Sequence, residues 1–192
     1  MFADSIRLHG NNTVNSIITV LIGIALISVL SPLTIDLTGQ LQFTLQTYAI
    51  ILVAVVFGWK IGLAATVGYF IVGISGVPVF PGYGSGIERL VGEYGGFYFG
   101  FLMAAAVCGY VAESATPTTY ARNISIWLLG HLIVLLLGFS WLWKIIPPLN
   151  GWMSELEPLI PGMMIKVALG MVTVHIIGRI IENRQKLKKS PN

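Results

Sequence analysis

Apolar residues lie along this chain in long runs separated by Gly, Pro and charge, and six of these runs approach the length of a membrane-spanning helix. They cover about 15–33, 43–58, 61–75, 95–112, 124–143 and 160–181. The first ends at the Ser31-Pro32 break. The second is short, and only Gly58-Trp59-Lys60 separates it from the third, so these two are expected to form a tight helical hairpin. The first run begins late and has no small-x-small cleavage site before a polar start, which marks it as a retained helix rather than a signal peptide.

Composition agrees with the pattern. Of the 192 residues, 55% are hydrophobic and 10% charged, against roughly 25% charged in an average soluble domain. Mean hydropathy is +0.82, and the 22 glycines suit transmembrane helices. Six spans of about 20 residues would use roughly 120 residues, leaving no room for a second soluble domain. The expected fold class is all-α: a polytopic membrane protein of six transmembrane helices in one domain over 1–192, with 182–192 as a basic tail.

Charge sets the orientation, because cytoplasmic loops collect Lys and Arg. With both termini inside, the inner segments hold Arg7, Lys60, Arg122, Arg179, Arg184, Lys186, Lys188 and Lys189, and the outer side keeps Arg89, Lys144 and Lys166. Asp36, Glu88, Glu93, Glu155 and Glu157 also fall outside. The expectation is N-in/C-in in the cytoplasmic membrane. The basic tail reads as an anchor beside anionic lipid, with no nucleic-acid partner. Both Asn-x-Ser/Thr sequons, at Asn11 and Asn123, fall inside and are read as unglycosylated.

Polar and glycine-rich chemistry collects on the outer side. Gln46 and Thr47 lie just inside the second span, where a buried amide either bridges helices or faces a ligand cavity. The stretch from Gly73 to Gly96 carries eight glycines, two prolines and the aromatics Phe80, Tyr83 and Tyr94. Glycine lets main-chain N–H groups approach a ligand, and the aromatics are candidate walls. This stretch is the expected glycine-rich extracytoplasmic loop between helices 3 and 4. Gly95-Gly96 opens the fourth helix with free N–H groups suited to a carboxylate or carbonyl. Lys166, about one turn into the sixth span, either snorkels or meets an anion.

Other features exclude chemistry. Without a G-x-x-x-x-G-K-[ST] phosphate loop, active pumping needs a partner. The lone Cys108 rules out an intramolecular disulfide and a multi-cysteine metal site, and reads as packing. His131 and His175 are either a proton relay or neutral hydrogen-bonding groups, and no acid at a span centre completes a relay. Gly96, Gly100 and Ala104, at four-residue spacing, would let another helix approach closely. With no nucleophile–base pair, metal cluster or paired intramembrane carboxylates, neither an enzymatic activity nor a cofactor is expected.

Five motifs in order carry a resemblance: Phe43-Thr44-Leu45-Gln46-Thr47, Gly76-Val77-Pro78-Val79-Phe80, Gly82-Tyr83-Gly84-Ser85-Gly86, Gly95-Gly96-Phe97 opening a helix with Phe99-Gly100-Phe101, and Pro161-Gly162 followed by Lys166. Over about residues 15–181 the chain resembles the BioY family, biotin-binding S components of energy-coupling-factor (ECF) vitamin transporters. The resemblance implies capture of biotin outside the cytoplasmic membrane and delivery inward with an ECF T component and two ATPase subunits. An S component for a different vitamin, or a non-transport membrane assembly protein, is the alternative. Biotin requires walls for its bicyclic body, partners for its ureido group and a cation or N–H cluster for its carboxylate. Phe80, Tyr83 and Phe97 are the expected walls, Gln46 and Ser85 the ureido contacts, and Lys166 or Arg89 the partners of anionic or carbonyl oxygens. Gly86, Gly95 and Gly96 complete the expected ligand-binding set. Two departures stand out: Met163 occupies the position where the family reads an acid, and Gly92-Glu93-Tyr94-Gly95-Gly96 replaces Gly-Pro-Thr-Gly-Gly. Glu93 or another group would have to replace the lost acceptor, unless the ligand differs.

Overall fold

A computed structural model describes residues 12–36, 42–113, 120–146 and 156–189. Arg7, Asn11 and Glu155 lie outside them. The elements are α1 (Asn12–Leu30), β1 (Thr34–Asp36), β2 (Gln42–Thr44), α2 (Gln46–Phe57), α3 (Trp59–Ile74), a 3₁₀ turn (Pro81–Tyr83), α4 (Glu88–Val91), α5 (Gly95–Glu113), α6 (Tyr120–Ile145) and α7 (Leu159–Lys189). Four of these, α1, α5, α6 and α7, are long and apolar enough to cross a membrane; α2 and α3 are shorter apolar helices. The chain is a multi-pass membrane protein.

Two boundaries differ from the sequence pattern. Phe43 and Thr44 belong to β2, not to the second helix, and pair antiparallel with β1 in the register Thr34↔Thr44, Ile35↔Phe43 and Asp36↔Gln42. The fold class is all-α as expected, and this ladder is a local addition to it: a short run rich in Thr, Ile and Phe between helices meets its backbone hydrogen-bonding needs by pairing. Leu45 N extends the pairing by donating to Leu33 O at 3.3 Å. The last helix also continues past Ile181, carrying the basic tail in helical form to Lys189.

Helix α2 is the centre of the bundle. All of its residues except Leu52 and Phe57 are buried, and it packs against α1, α3, α5, α6 and α7. Such enclosure follows from a helix that is apolar on every side. Away from Gln46, the far end of α2 is packed backbone to backbone. Gly58, at φ 88°, joins α2 directly to α3, a conformation that favours glycine. A Cβ at Gly62 would lie 2.6 Å from the Ala54 Cα, and one at Gly109 2.5 Å from the Trp59 Cα. Trp59 N donates to Glu113 Oε1 at 3.3 Å, tying α3 to the end of α5.

The longest shared face joins α5 and α6. Gly96 and Gly100 make it possible: Gly96 lies against the Trp141 side chain and the Leu137 carbonyl, and a Cβ at Gly100 would lie 3.0 Å from the Val134 Cα. Reciprocally, Gly138 of α6 receives the Phe97 ring. The small-residue series on α5 is thus matched by its helix neighbour. Cys108 is buried and donates to Ile126 O at 3.4 Å, a packing role.

Candidate functional site

Polar side chains and aromatic walls meet at one end of the bundle. The N-terminal ends of α2, α5 and α7, the C-terminal half of α6 and the 75–94 loop surround a cavity of about 510 Å³, within the roughly 300–1,000 Å³ range of small-molecule pockets. Tyr98, Phe101 and Phe139 supply aromatic faces, Leu142 and Val134 aliphatic ones, and Gln46, Arg89, His131 and Lys166 the polar groups. Met163 is also in the wall.

Gln46 is both a structural bridge and a cavity residue. Its amide nitrogen donates to Tyr69 Oη at 2.9 Å, and that hydroxyl donates onward to Val79 O at 3.2 Å. The chain of bonds fastens α2 to α3 and to the loop beyond it. Replacing Gln46 by Leu should lower stability by about 0.5–2 kcal/mol, the usual net worth of a buried or interhelical hydrogen bond. Thermal unfolding of the purified protein in detergent measures this, and an unchanged midpoint would mean the bridge contributes nothing.

The glycine-rich stretch folds into an ordered cap. Phe80 N donates to Gly84 O at 2.9 Å and Gly84 N to Phe80 O at 3.1 Å, closing the 3₁₀ turn, in which Gly82 and Tyr83 both have positive φ. Gly86 N donates to Gly73 O at 2.9 Å and ties the loop back to α3. Phe80 is completely buried, its ring filling the space beside Gly73 and meeting Tyr69 and Tyr98 edge-on at 5.4 and 5.3 Å. It therefore stands behind the wall and braces Tyr98.

The expected ligand-binding residues divide accordingly. Gln46, Arg89, Phe97 and Lys166 come together in the cavity wall. Phe80 is a core residue, Tyr83 is 66% exposed on the turn, and Ser85 and Gly86 belong to the cap; none of these four lines the cavity. Gly95 and Gly96 do not line it either. They are buried against Trp141, whose indole Nε1 donates to Gly92 O at 3.0 Å. Nor are the N–H groups opening α5 all free: Gly95 N donates to Gly92 O at 3.0 Å and Phe97 N to Tyr94 O at 2.9 Å. These two glycines let α6 approach, a packing duty that looks the same in sequence as a ligand-facing one.

At the lip, Tyr94 lines the cavity with Arg89 close by. Burial holds its phenol above the ordinary pKa, the neighbouring Glu93 carboxylate pushes it the same way, and the Arg89 guanidinium opposes both. Glu93 itself is outside the cavity wall.

The two histidines part company. His131 lines the cavity, whereas His175 stacks on Tyr120 at 4.9 Å, with its Nε2 3.1 Å from the Tyr120 hydroxyl. The sequence leaves His131 as either a relay member or a neutral hydrogen-bonding group, not a cavity residue, and it passes over Tyr98, Phe101, Phe139 and Leu142, which read as ordinary apolar helix positions.

Comparison with known proteins follows the same lines. The BioY family profile matches residues 5–183. Over 132 residues the chain is 37% identical to "Biotin transporter BioY2" of Lactococcus lactis subsp. cremoris, covering 69% of this chain and 71% of the relative. Over 149 residues it is 28% identical to "Probable biotin transporter BioY" of Pyrococcus horikoshii, covering 78% and 87%. Its fold matches the 2.1 Å crystal structure of "the S-component for biotin from an ECF-type ABC transporter" with a TM-score of 0.72, at 23% identity, over 91% of this chain and 95% of that one.

Proposed function

This chain belongs to the BioY family, and on that footing we propose that it is the biotin-binding S subunit of an ECF-type vitamin transporter. The observation that carries the reading is the cavity itself, which places an aromatic wall beside two cations, Arg89 and Lys166, and the amide of Gln46. Biotin presents matching chemistry: an apolar bicycle, a ureido group and a carboxylate.

Six apolar helices, α1, α2, α3, α5, α6 and α7, make up the spans of this reading. Lys60 and Arg122 lie near the starts of α3 and α6, away from the cavity, and Arg179, Arg184 and Lys186 lie towards the far end of α7. The positive-inside rule then turns the cavity outward and both termini inward across the cytoplasmic membrane. Biotin is captured from outside, and its delivery draws on a T component and two ATPase subunits. This chain's share is binding and release, without bond making. Its affinity for biotin must therefore differ between the states that face the two sides.

Isothermal titration of the purified protein against biotin, thiamine and riboflavin tests the assignment. Saturable one-to-one binding is expected for biotin alone. Binding of another vitamin with none of biotin would overturn it.

A further inference from the structure

We propose that His131 contacts the ligand and sets the cavity's preference for a cyclic urea, its Nε2 accepting a hydrogen bond from a ureido N–H. The inference rests on biotin being the ligand and adds a residue and a polarity to that reading.

His131 is only 4% exposed, yet it is part of the cavity wall. Its Nδ1 lies 2.8 Å from Trp127 O, one turn earlier on α6. A carbonyl oxygen can only accept, so Nδ1 carries the hydrogen. In the neutral ring the other nitrogen then keeps its lone pair. That nitrogen, Nε2, is buried and has no hydrogen-bond partner, whereas buried polar atoms are nearly always paired. The backbone of α6 thus fixes the tautomer, and the tautomer makes Nε2 an acceptor.

The rest of the wall explains why an acceptor matters. Arg89 and Lys166 only donate, and the Gln46 amide, whose nitrogen already donates to Tyr69, has one oxygen to offer, a single amide acceptor against the two N–H groups of a cyclic urea. Among the described residues no carboxylate lines the cavity, and Met163, three residues before Lys166 on α7, adds an apolar side chain there. A cyclic urea offers one acceptor oxygen and two N–H donors. Lysine and arginine suit the oxygen but repel an N–H, and the imidazole lone pair supplies what they lack. A ligand with only acceptors on that edge would leave both Nε2 and its own lone pairs unmatched.

The test uses the purified full-length protein with biotin and its two mono-N-methyl ureido derivatives, measured by calorimetry. His131→Leu is expected to weaken biotin binding about 10- to 100-fold, the effect of leaving a buried N–H unpaired. One N-methyl isomer, already weak on the wild type, should lose nothing further on the substitution. His131→Gln, which retains an acceptor, should recover most of the affinity. Equal losses for biotin and both methylated forms, or none at all, would overturn the proposal by reducing His131 to packing. If the leucine variant does not fold, the wild-type protein decides the matter: the ¹⁵N resonance of His131 Nε2 should move upfield on adding biotin, and an unmoved resonance in the loaded protein refutes the contact. Failure of the wild type to bind biotin would instead defeat the assignment of the ligand.

Discussion

Replacing Lys166 by Met is expected to weaken biotin binding about 100-fold while leaving the thermal midpoint of the unliganded protein nearly unchanged. Lys166 stands about two turns into α7, behind Pro161 and Gly162, and shares the wall with Gln46, Tyr98 and His131. A hydrogen bond to a charged group contributes about 1.5–3 kcal/mol, a factor of roughly 10–150 in affinity. Lys144 provides the control. It occupies the last turn of α6 at the same end of the bundle but is exposed and outside the wall, so Lys144→Met should bind biotin as the parent does. Should Lys166→Met bind equally well, the lysine only snorkels.

The same variant identifies the atom that Lys166 meets. Arg89 is exposed at the lip, where a carboxylate keeps part of its hydration, whereas Lys166 is within electrostatic reach of His131. The expected division gives Lys166 the ureido oxygen and Arg89 the carboxylate. Biotin amide, which has lost the carboxylate charge, should therefore suffer from Lys166→Met as much as biotin does. It should be indifferent to Arg89→Met. The reverse pattern would exchange the two assignments.

A larger structural effect is expected at Gly96, where even alanine should lower stability by about 2–3 kcal/mol, the range of a badly overpacked core. That corresponds to a fall of about 5–10 °C in the thermal midpoint of a chain this size. The added Cβ would lie 2.5 Å from the Leu137 carbonyl oxygen as well as against Trp141. Backbone cannot move aside as a flexible side chain can, so α5 and α6 must separate. Phe97, Tyr98 and Phe101 would move with α5, and biotin affinity should fall alongside stability. Gly82→Ala is the informative comparison. Its Cβ would meet nothing within 4 Å, but the residue holds φ at +67°, a strain of about 1–2 kcal/mol confined to the cap. If Gly96→Ala melts no lower than Gly82→Ala, close helix approach is not what holds this face together.

The contrast at Gly96 also marks the limit of what could be read from sequence. Long apolar runs broken by Gly and Pro located the helices, because enclosure by lipid and protein demands apolar residues over the whole length of a span. Gln46, His131 and Lys166 were visible as polar interruptions of such runs, and all three line the cavity. What escaped was the side on which a residue falls. Phe80 and Phe97 are both aromatic and lie close to glycines, yet one packs into the core beside Gly73 and the other reaches the cavity. Tyr98, Phe101 and Phe139 could not be told apart from core positions, since a ligand wall and a helix contact demand the same apolar surface. The β1–β2 ladder was missed because three-residue strands carry almost no periodicity.

The base of the bundle, where Gly58 joins α2 to α3 and Gly62 and Gly109 hold the helices in backbone contact, bears on how cargo can leave. A carrier with two alternating gates needs a second door beneath its cargo. Here the hinge would have to be main chain: rotating side chains would not part α2, α3 and α5, and parting them would break the turn at Gly58 and the bond from Trp59 to Glu113. The protein is a cup with a fused floor, open at its rim. On the transport function proposed above, such a cup would empty by tipping as a whole, and the work of its partners would fall on the boundary between protein and lipid rather than on an internal passage.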